Sequence, residues 1–235
     1  MRMPFRRPSL APLTLAMVSL WMGGCATTPP APAPSAREVT AEAPAEATTE
    51  ATTSEQAAAP KVFTAVMDGS PAPEFDLETL AGDRRITVKS LSGKPTVLLF
   101  GSATCPPFVE SLDQLNTLYL EYQDRVNFVL VYIREAHPTD GPADPKNRFK
   151  IATPRTMEER KDAAKQLRRV TRVQIPIALD GMDDAMIDAY RPWPSRIVVL
   201  DPRGVAVDAL PAGPRATLNG ALRLRSIIAQ VLRNG

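Results

Sequence analysis

The chain has 235 residues, 44% of them hydrophobic and 23% charged, which is enough to build one ordinary globular domain. Its formal net charge is only +2, so it carries no field that would gather nucleic acid, and no nucleic-acid partner is expected. Many of the 24 prolines crowd into an N-terminal block and leave the remainder free to form a core.

Arg2, Arg6 and Arg7 precede an apolar run from Leu10 to Met22, which is short for a bilayer span. The run ends in Trp21-Met-Gly-Gly-Cys25, which resembles the lipobox of bacterial lipoproteins. That resemblance implies a signal peptide over residues 1–25 and a Cys25 that becomes the lipidated N-terminus. The protein would then be anchored by lipid in the bacterial cell envelope, at the periplasmic face of the outer membrane. With Cys25 blocked, Cys105 would be the only free thiol, and no intramolecular disulfide could form. Residues 26–61 are Ala, Thr, Pro, Glu and Ser with almost no large apolar side chain. Such a stretch cannot bury enough surface to offset its ordering entropy, and it reads as a disordered linker. The folded domain is expected over residues 62–235.

Within that domain, Pro71 to Leu77 and Ile86 to Val88 flank Ala81-Gly-Asp83 and predict a small β-hairpin. Leu91-Ser-Gly-Lys94 is a turn into the apolar strand Thr96–Phe100. A helical pattern follows, with Leu112, Leu115, Tyr119 and Tyr122 on one face. Pro106 and Pro107 suit its first turn, where a missing N–H costs nothing. Cys105 therefore falls where a strand ends and a helix begins. Unpaired N–H groups and the helix dipole there favour an anion, so the sequence predicts a sulfur biased toward thiolate. Val126 to Ile133 is a near-continuous apolar run, as in an interior strand covered on both faces. Strand, helix and strand make a right-handed βαβ unit.

A long polar loop then runs from Arg134 through His137 to about Thr153, a length more often functional than idle. Thr156-Met-Glu-Glu159 matches a capping box, and the helix it opens is expected to turn Ala163, Leu167 and Val170 inward. Ile175 to Asp180 reads as a strand and Met186 to Tyr190 as a helical turn. Ile197–Leu200 and Val205–Leu210 form a hairpin about Asp201-Pro-Arg-Gly204, and Thr217–Leu232 is a closing helix. The predicted fold is α/β: a thioredoxin-like arrangement with an N-terminal β-hairpin extension and an extra strand–helix insertion.

Gly101-Ser-Ala-Thr-Cys105-Pro-Pro-Phe108 and Tyr132-Ile-Arg-Glu-Ala-His137-Pro-Thr-Asp-Gly141 together resemble the iodothyronine deiodinase family. Its members are thioredoxin-fold reductive dehalogenases with selenocysteine where this chain has Cys105. The resemblance covers most of the span from about Pro71 to Leu232. It implies that Cys105 is the nucleophile and His137 the active-site histidine. It further implies that the Trp193–Pro194 bond is cis and packs beside the sulfur. His137 is the only histidine in the chain and lies just past a strand end, at the sheet edge where ligands gather. It is placed to take a proton from Cys105 or to give one to the leaving carbon. Thr104 is a candidate hydrogen-bond donor to the thiolate. Pro106, Pro107, Phe108, Tyr132, Arg134, Trp193 and Pro194 are candidates to line the cleft. The chain departs from the family in three places: cysteine for selenocysteine, Pro142 after Gly141 where animal members carry an aromatic residue, and no second histidine further along.

The reading that follows is an oxidoreductase: Cys105 attacks the halogen of an activated aromatic ring, and an external thiol regenerates it. No bound cofactor and no metal are expected. One alternative is a one-cysteine peroxide or disulfide reductase working through a Cys105 sulfenic acid or mixed disulfide. Phe108 takes the place of the second cysteine of a dithiol motif, and Thr104 adjoins the cysteine instead of preceding it by three as in peroxiredoxins. A further alternative is a non-catalytic lipoprotein binding module. The substrate would be a small molecule, a halogenated aromatic or a peroxide.

Overall fold

The computed structural model describes residues 66–234; the expected signal peptide, Cys25 and the linker lie outside them. In chain order the elements are β1 (Asp76–Thr79), β2 (Arg85–Thr87), β3 (Thr96–Gly101), α1 (Pro106–Tyr122), β4 (Asn127–Tyr132), α2 (Met157–Thr171), β5 (Ile177–Leu179), α3 (Ala185–Tyr190), β6 (Arg196–Leu200), β7 (Ala206–Ala209) and α4 (Ala216–Asn234). This is the expected order, hairpin extension and strand–helix insertion included.

The strands form one sheet in the order β2-β1-β5-β4-β3-β6-β7. β4 runs parallel to β3 and to β5, while β6 is antiparallel to β3 and β7 to β6. All six residues of β3 are buried, because the sheet is covered on both faces. Alternation divides them. Val97 and Leu99 join Leu112, Leu115, Leu167 and Leu224 under α1, α2 and α4. Leu98 and Phe100 join Val129, Val131 and Tyr190 on the other face, which α3 and the segment from Val66 to Leu77 close.

Each expected turn finds its backbone conformation: Gly82 in the first hairpin has φ of 71° and Gly204 in the last has φ of 82°. Thr156 caps α2 by accepting the Glu159 N–H at 3.2 Å. The return bond of the capping box falls one residue early, on the Arg155 N–H at 2.6 Å. Arg168 and Arg169 occupy the last turn of α2, where cations suit the dipole.

Tyr119 is half-buried and packs against the same core as Leu112, Leu115 and Tyr122, with the buried Leu118 beside it. One expectation about packing fails. Val170 is 46% exposed, whereas Arg160 is 2% exposed. The buried face of α2 runs through Arg160, Ala163, Ala164 and Leu167 because Arg160 finds acceptors at the end of β5. Its guanidinium donates to the carbonyls of Asp180 and Gly181 and pairs with Asp184 at 3.0 Å. Both terminal nitrogens of this buried cation thus find acceptors, while its Nε has no partner.

Candidate active site

Cys105 is the N-cap of α1, with extended backbone (φ −99°, ψ 98°), and Pro106 and Pro107 fill the first helical turn. The sulfur side chain is buried, with 1% of the residue exposed. Gly101, the last residue of β3, makes this packing possible. A Cβ there would meet the Phe108 ring at 2.4 Å, so the absence of a side chain lets the ring lie against the strand end. Ser195, which follows the cis Trp193–Pro194 bond just ahead of β6, is a neighbour of the sulfur, and its hydroxyl donates to the Gly213 carbonyl at 3.0 Å.

Burial, the largest influence, pushes the Cys105 thiol up. The Phe108 N–H and the Ser195 hydroxyl pull it down, and the Glu135 carboxylate raises it again. The expected thiolate bias is therefore reversed. The helix terminus is present, but removal from water and a nearby negative charge outweigh it.

Glu135 is the centre of a buried network. It is 5% exposed, in the loop that follows β4. One of its oxygens accepts the Thr104 N–H at 3.0 Å and the Thr104 hydroxyl at 2.6 Å. The other accepts the Tyr132 hydroxyl, which itself accepts the Ala103 N–H at 3.2 Å. Burial pushes the Glu135 carboxyl up, while the Thr104 and Tyr132 bonds and the Arg160 charge hold it back. Burial and the Glu135 charge push the Tyr132 hydroxyl well above its usual range, so it stays a donor.

The same network reaches His137. Its backbone N–H donates to Thr104 Oγ1 at 3.0 Å, which ties the histidine to the residue before Cys105. The ring Nδ1 lies 3.0 Å from the Pro142 carbonyl oxygen. A carbonyl can only accept, so Nδ1 carries a proton, and in the neutral tautomer the lone pair is on Nε2. Asn147, buried in the long loop, donates to the Thr104 carbonyl at 2.8 Å and accepts the Phe149 N–H at 2.9 Å. Two segments, 31–33 and 43 residues beyond Thr104, thus fasten onto one turn.

A model of the iodothyronine deiodinase family matches residues 51–216, more than half of the chain. The chain belongs to that family. Thyroxine 5-deiodinase of Gallus gallus is 36% identical over 140 residues, covering 59% of this chain and 54% of that protein. Type I iodothyronine deiodinase of Xenopus laevis is 35% identical over 133 residues, covering 56% and 52%. The chain thus spans about half the length of these curated relatives. Among solved structures, a protein from Bacteroides thetaiotaomicron described as a putative protein disulfide isomerase superposes with a TM-score of 0.51 at 20% identity, covering 71% of this chain and 88% of that one. A putative thiol:disulfide interchange protein from Chlorobium tepidum gives 0.51 at 15% identity, covering 72% and 99%. At those identities the likeness is one of fold, and the fold is thioredoxin-like.

Within this deiodinase-family frame several sequence-named residues take other positions than expected. The Thr104 hydroxyl donates to Glu135, not to the sulfur. Tyr132 and Phe108 are fully buried and line no cleft; one is part of the carboxylate network and the other of the core. Pro106, Pro107 and Pro194 are half-buried around the cysteine turn. Arg134 is on the surface, its guanidinium 4.6 Å from the centre of the Trp193 ring and 3.2 Å from Asp184. Glu135, Asn147 and Ser195 were given no role by the sequence reading. Glu135 stands inside the Glu-Ala-His motif, the one signal that marked it; Asn147 and Ser195 carry none.

Proposed function

We propose that the chain is a deiodinase-type oxidoreductase that removes iodine from an activated aromatic ring through Cys105. The observation that carries this reading is the single network joining the cysteine turn to Glu135 and His137 in a deiodinase-family fold. A resting thiol suits the reaction. Attack of sulfur on iodine forms an S–I bond and breaks C–I, and the ring carbon must gain a proton. The Cys105 thiol supplies that proton: Cys–SH and Ar–I become Cys–S–I and Ar–H with every atom accounted for. His137 Nε2, which holds a lone pair, accepts the thiol proton and returns it to carbon. The ring is reduced by two electrons and the sulfur is oxidised. Two external thiols then restore Cys105, one displacing iodide to form a mixed disulfide and the second resolving it. No bound cofactor is needed.

The reading further includes a small halogenated aromatic substrate, an external thiol as reductant, and attachment to the bacterial envelope through a lipidated Cys25. The test is iodide release from thyroxine by the full-length protein with excess dithiothreitol, beside Cys105→Ala. Release that vanishes in the variant supports the proposal. A folded protein that releases no iodide but reduces peroxide or a disulfide through Cys105 would replace it with the one-cysteine reductase alternative.

A further inference from the structure

Among the described residues four charged side chains are buried: Glu135, Arg160, Asp180 and Arg196. A charge taken out of water persists only beside an opposite charge or with its hydrogen bonds met. Arg196 is satisfied where it stands, by the carbonyls of Val66, Tyr190, Ala209 and Leu210. Arg160 is not. One terminal nitrogen donates to the carbonyls of Asp180 and Gly181 and the other to Asp184, while Nε has no partner. Carbonyls carry no net charge, and Asp184 is partly exposed and divided with Arg134. The guanidinium therefore keeps positive charge that acts on its surroundings.

Those surroundings reach the cysteine turn. β5 lies beside β4, and the Asp180 N–H donates to the Tyr132 carbonyl at 3.1 Å. Arg160, held at the end of β5, is thus fixed one strand away from Tyr132, whose hydroxyl donates to Glu135. Its charge favours the ionised forms of Asp180, Tyr132 and Glu135 and opposes the burial that favours their neutral forms. The other titratable groups about Glu135 are Cys105 at the start of α1 and His137, which is tied to the same Thr104.

The ionisation of Glu135 decides whether the network closes. Three donors point at its oxygens: the Thr104 N–H, the Thr104 hydroxyl and the Tyr132 hydroxyl. A carboxylate accepts all three, whereas a protonated acid brings a fourth hydrogen among them. The Thr104 oxygen is free to accept the His137 N–H because its own hydrogen is committed to Glu135. We propose that Arg160 is a positioning residue of the active site: from the end of β5 its buried charge keeps Glu135 a carboxylate and so holds the Cys105 turn and His137 in register. The inference deepens the deiodination reading and rests on it for what the network serves.

An NMR titration of the full-length protein labelled with [δ-13C]glutamate reads Glu135 without turnover, its resonance being the one that Glu135→Gln removes. Arg160→Met should raise the Glu135 midpoint by about one pH unit or more. Arg160→Lys restores the charge and should recover most of that shift. Asp184→Asn removes the anion that shares Arg160 and leaves an acceptor oxygen in its place, with a residue type suited to the φ of 53° there. It should lower the midpoint. A purely structural Arg160 predicts no such opposition of sign. A midpoint that Arg160→Met leaves unchanged, or a shift that Arg160→Lys does not recover, overturns the proposal. Where Arg160→Met fails to fold, Asp184→Asn decides: a lowered midpoint supports the proposal, and an unmoved or raised one overturns it. Iodide release from thyroxine is read in parallel, and Arg160→Met should lose kcat below its raised midpoint and regain it above. Release that ignores the shifted midpoint removes the positioning role and keeps the reaction. Shifted midpoints with no release from the unsubstituted protein remove the reaction and keep Arg160 as the charge that holds the network.

Discussion

Cys105 is governed by what surrounds it more than by its place at a helix end. Burial and Glu135 push its thiol up, so alkylation by iodoacetamide followed against pH should show a midpoint above that of an ordinary cysteine. Glu135→Gln removes the nearby charge and should move that midpoint down; a midpoint unchanged or raised in the variant contradicts the electrostatic assignment. The same substitution leaves one of the three donors facing Glu135 without an acceptor and should cost about 1–3 kcal/mol of stability. His137→Ala, if the imidazole moves the proton, should lower kcat by about 10²–10⁴-fold with a smaller change in KM. Cys105 and His137 were legible because one stands at a strand–helix junction and the other is the chain's only histidine. The burial of Glu135 was not legible. It sits in a polar loop, and only the fold turns it inward, where Tyr132 and Thr104 meet it.

At the scale of the element, the junction of β3 and α1 depends on the missing side chain of Gly101. Gly101→Ala forces the Phe108 ring away from the strand and should destabilise the fold by about 1–3 kcal/mol, measured by urea unfolding. A neutral result would show that α1 shifts freely, and the Cys105 turn would then be far less fixed than described. Strands β3 and β4 were readable because a sheet covered on both faces demands continuous apolar runs. Helix α2 was readable in extent but not in orientation. Leu167 and Val170 share one side of its pattern, yet the helix turns Arg160 inward instead, since only tertiary contacts reveal the carbonyls at the end of β5.

Across the whole molecule, stability should carry the signature of Asp180. One of its carboxylate oxygens accepts the Met186 N–H at 3.1 Å and the other has no partner, and burial raises its pKa to about 6. The folded state therefore favours the protonated form. Its contribution is fully present below the unfolded value of 3.8 and is lost as pH rises through about 6. Asp180→Asn keeps an oxygen for Met186 and removes the titration. The variant should gain about 2 kcal/mol relative to the unsubstituted protein between pH 4 and pH 7, read from urea unfolding at both pH values. A difference that does not change with pH would refute the assignment. The domain's architecture was legible from the order of strand and helix patterns, because strands apolar on both sides and helices apolar on one can pack only with helices over a covered sheet. The charge that Arg160 brings to Glu135 was not, because α2 and the loop after β4 meet only in the fold.

The central claim is that a buried thiol exchanges its own proton and two electrons with an iodinated ring. The most direct measurement is a single turnover of the full-length protein with thyroxine and no added thiol. One deiodinated product per protein should form, and the Cys105 peptide should lose its free thiol in step, by mass spectrometry, while Cys105→Ala forms none. Product made with Cys105 still a free thiol, or made equally by the variant, would contradict the account.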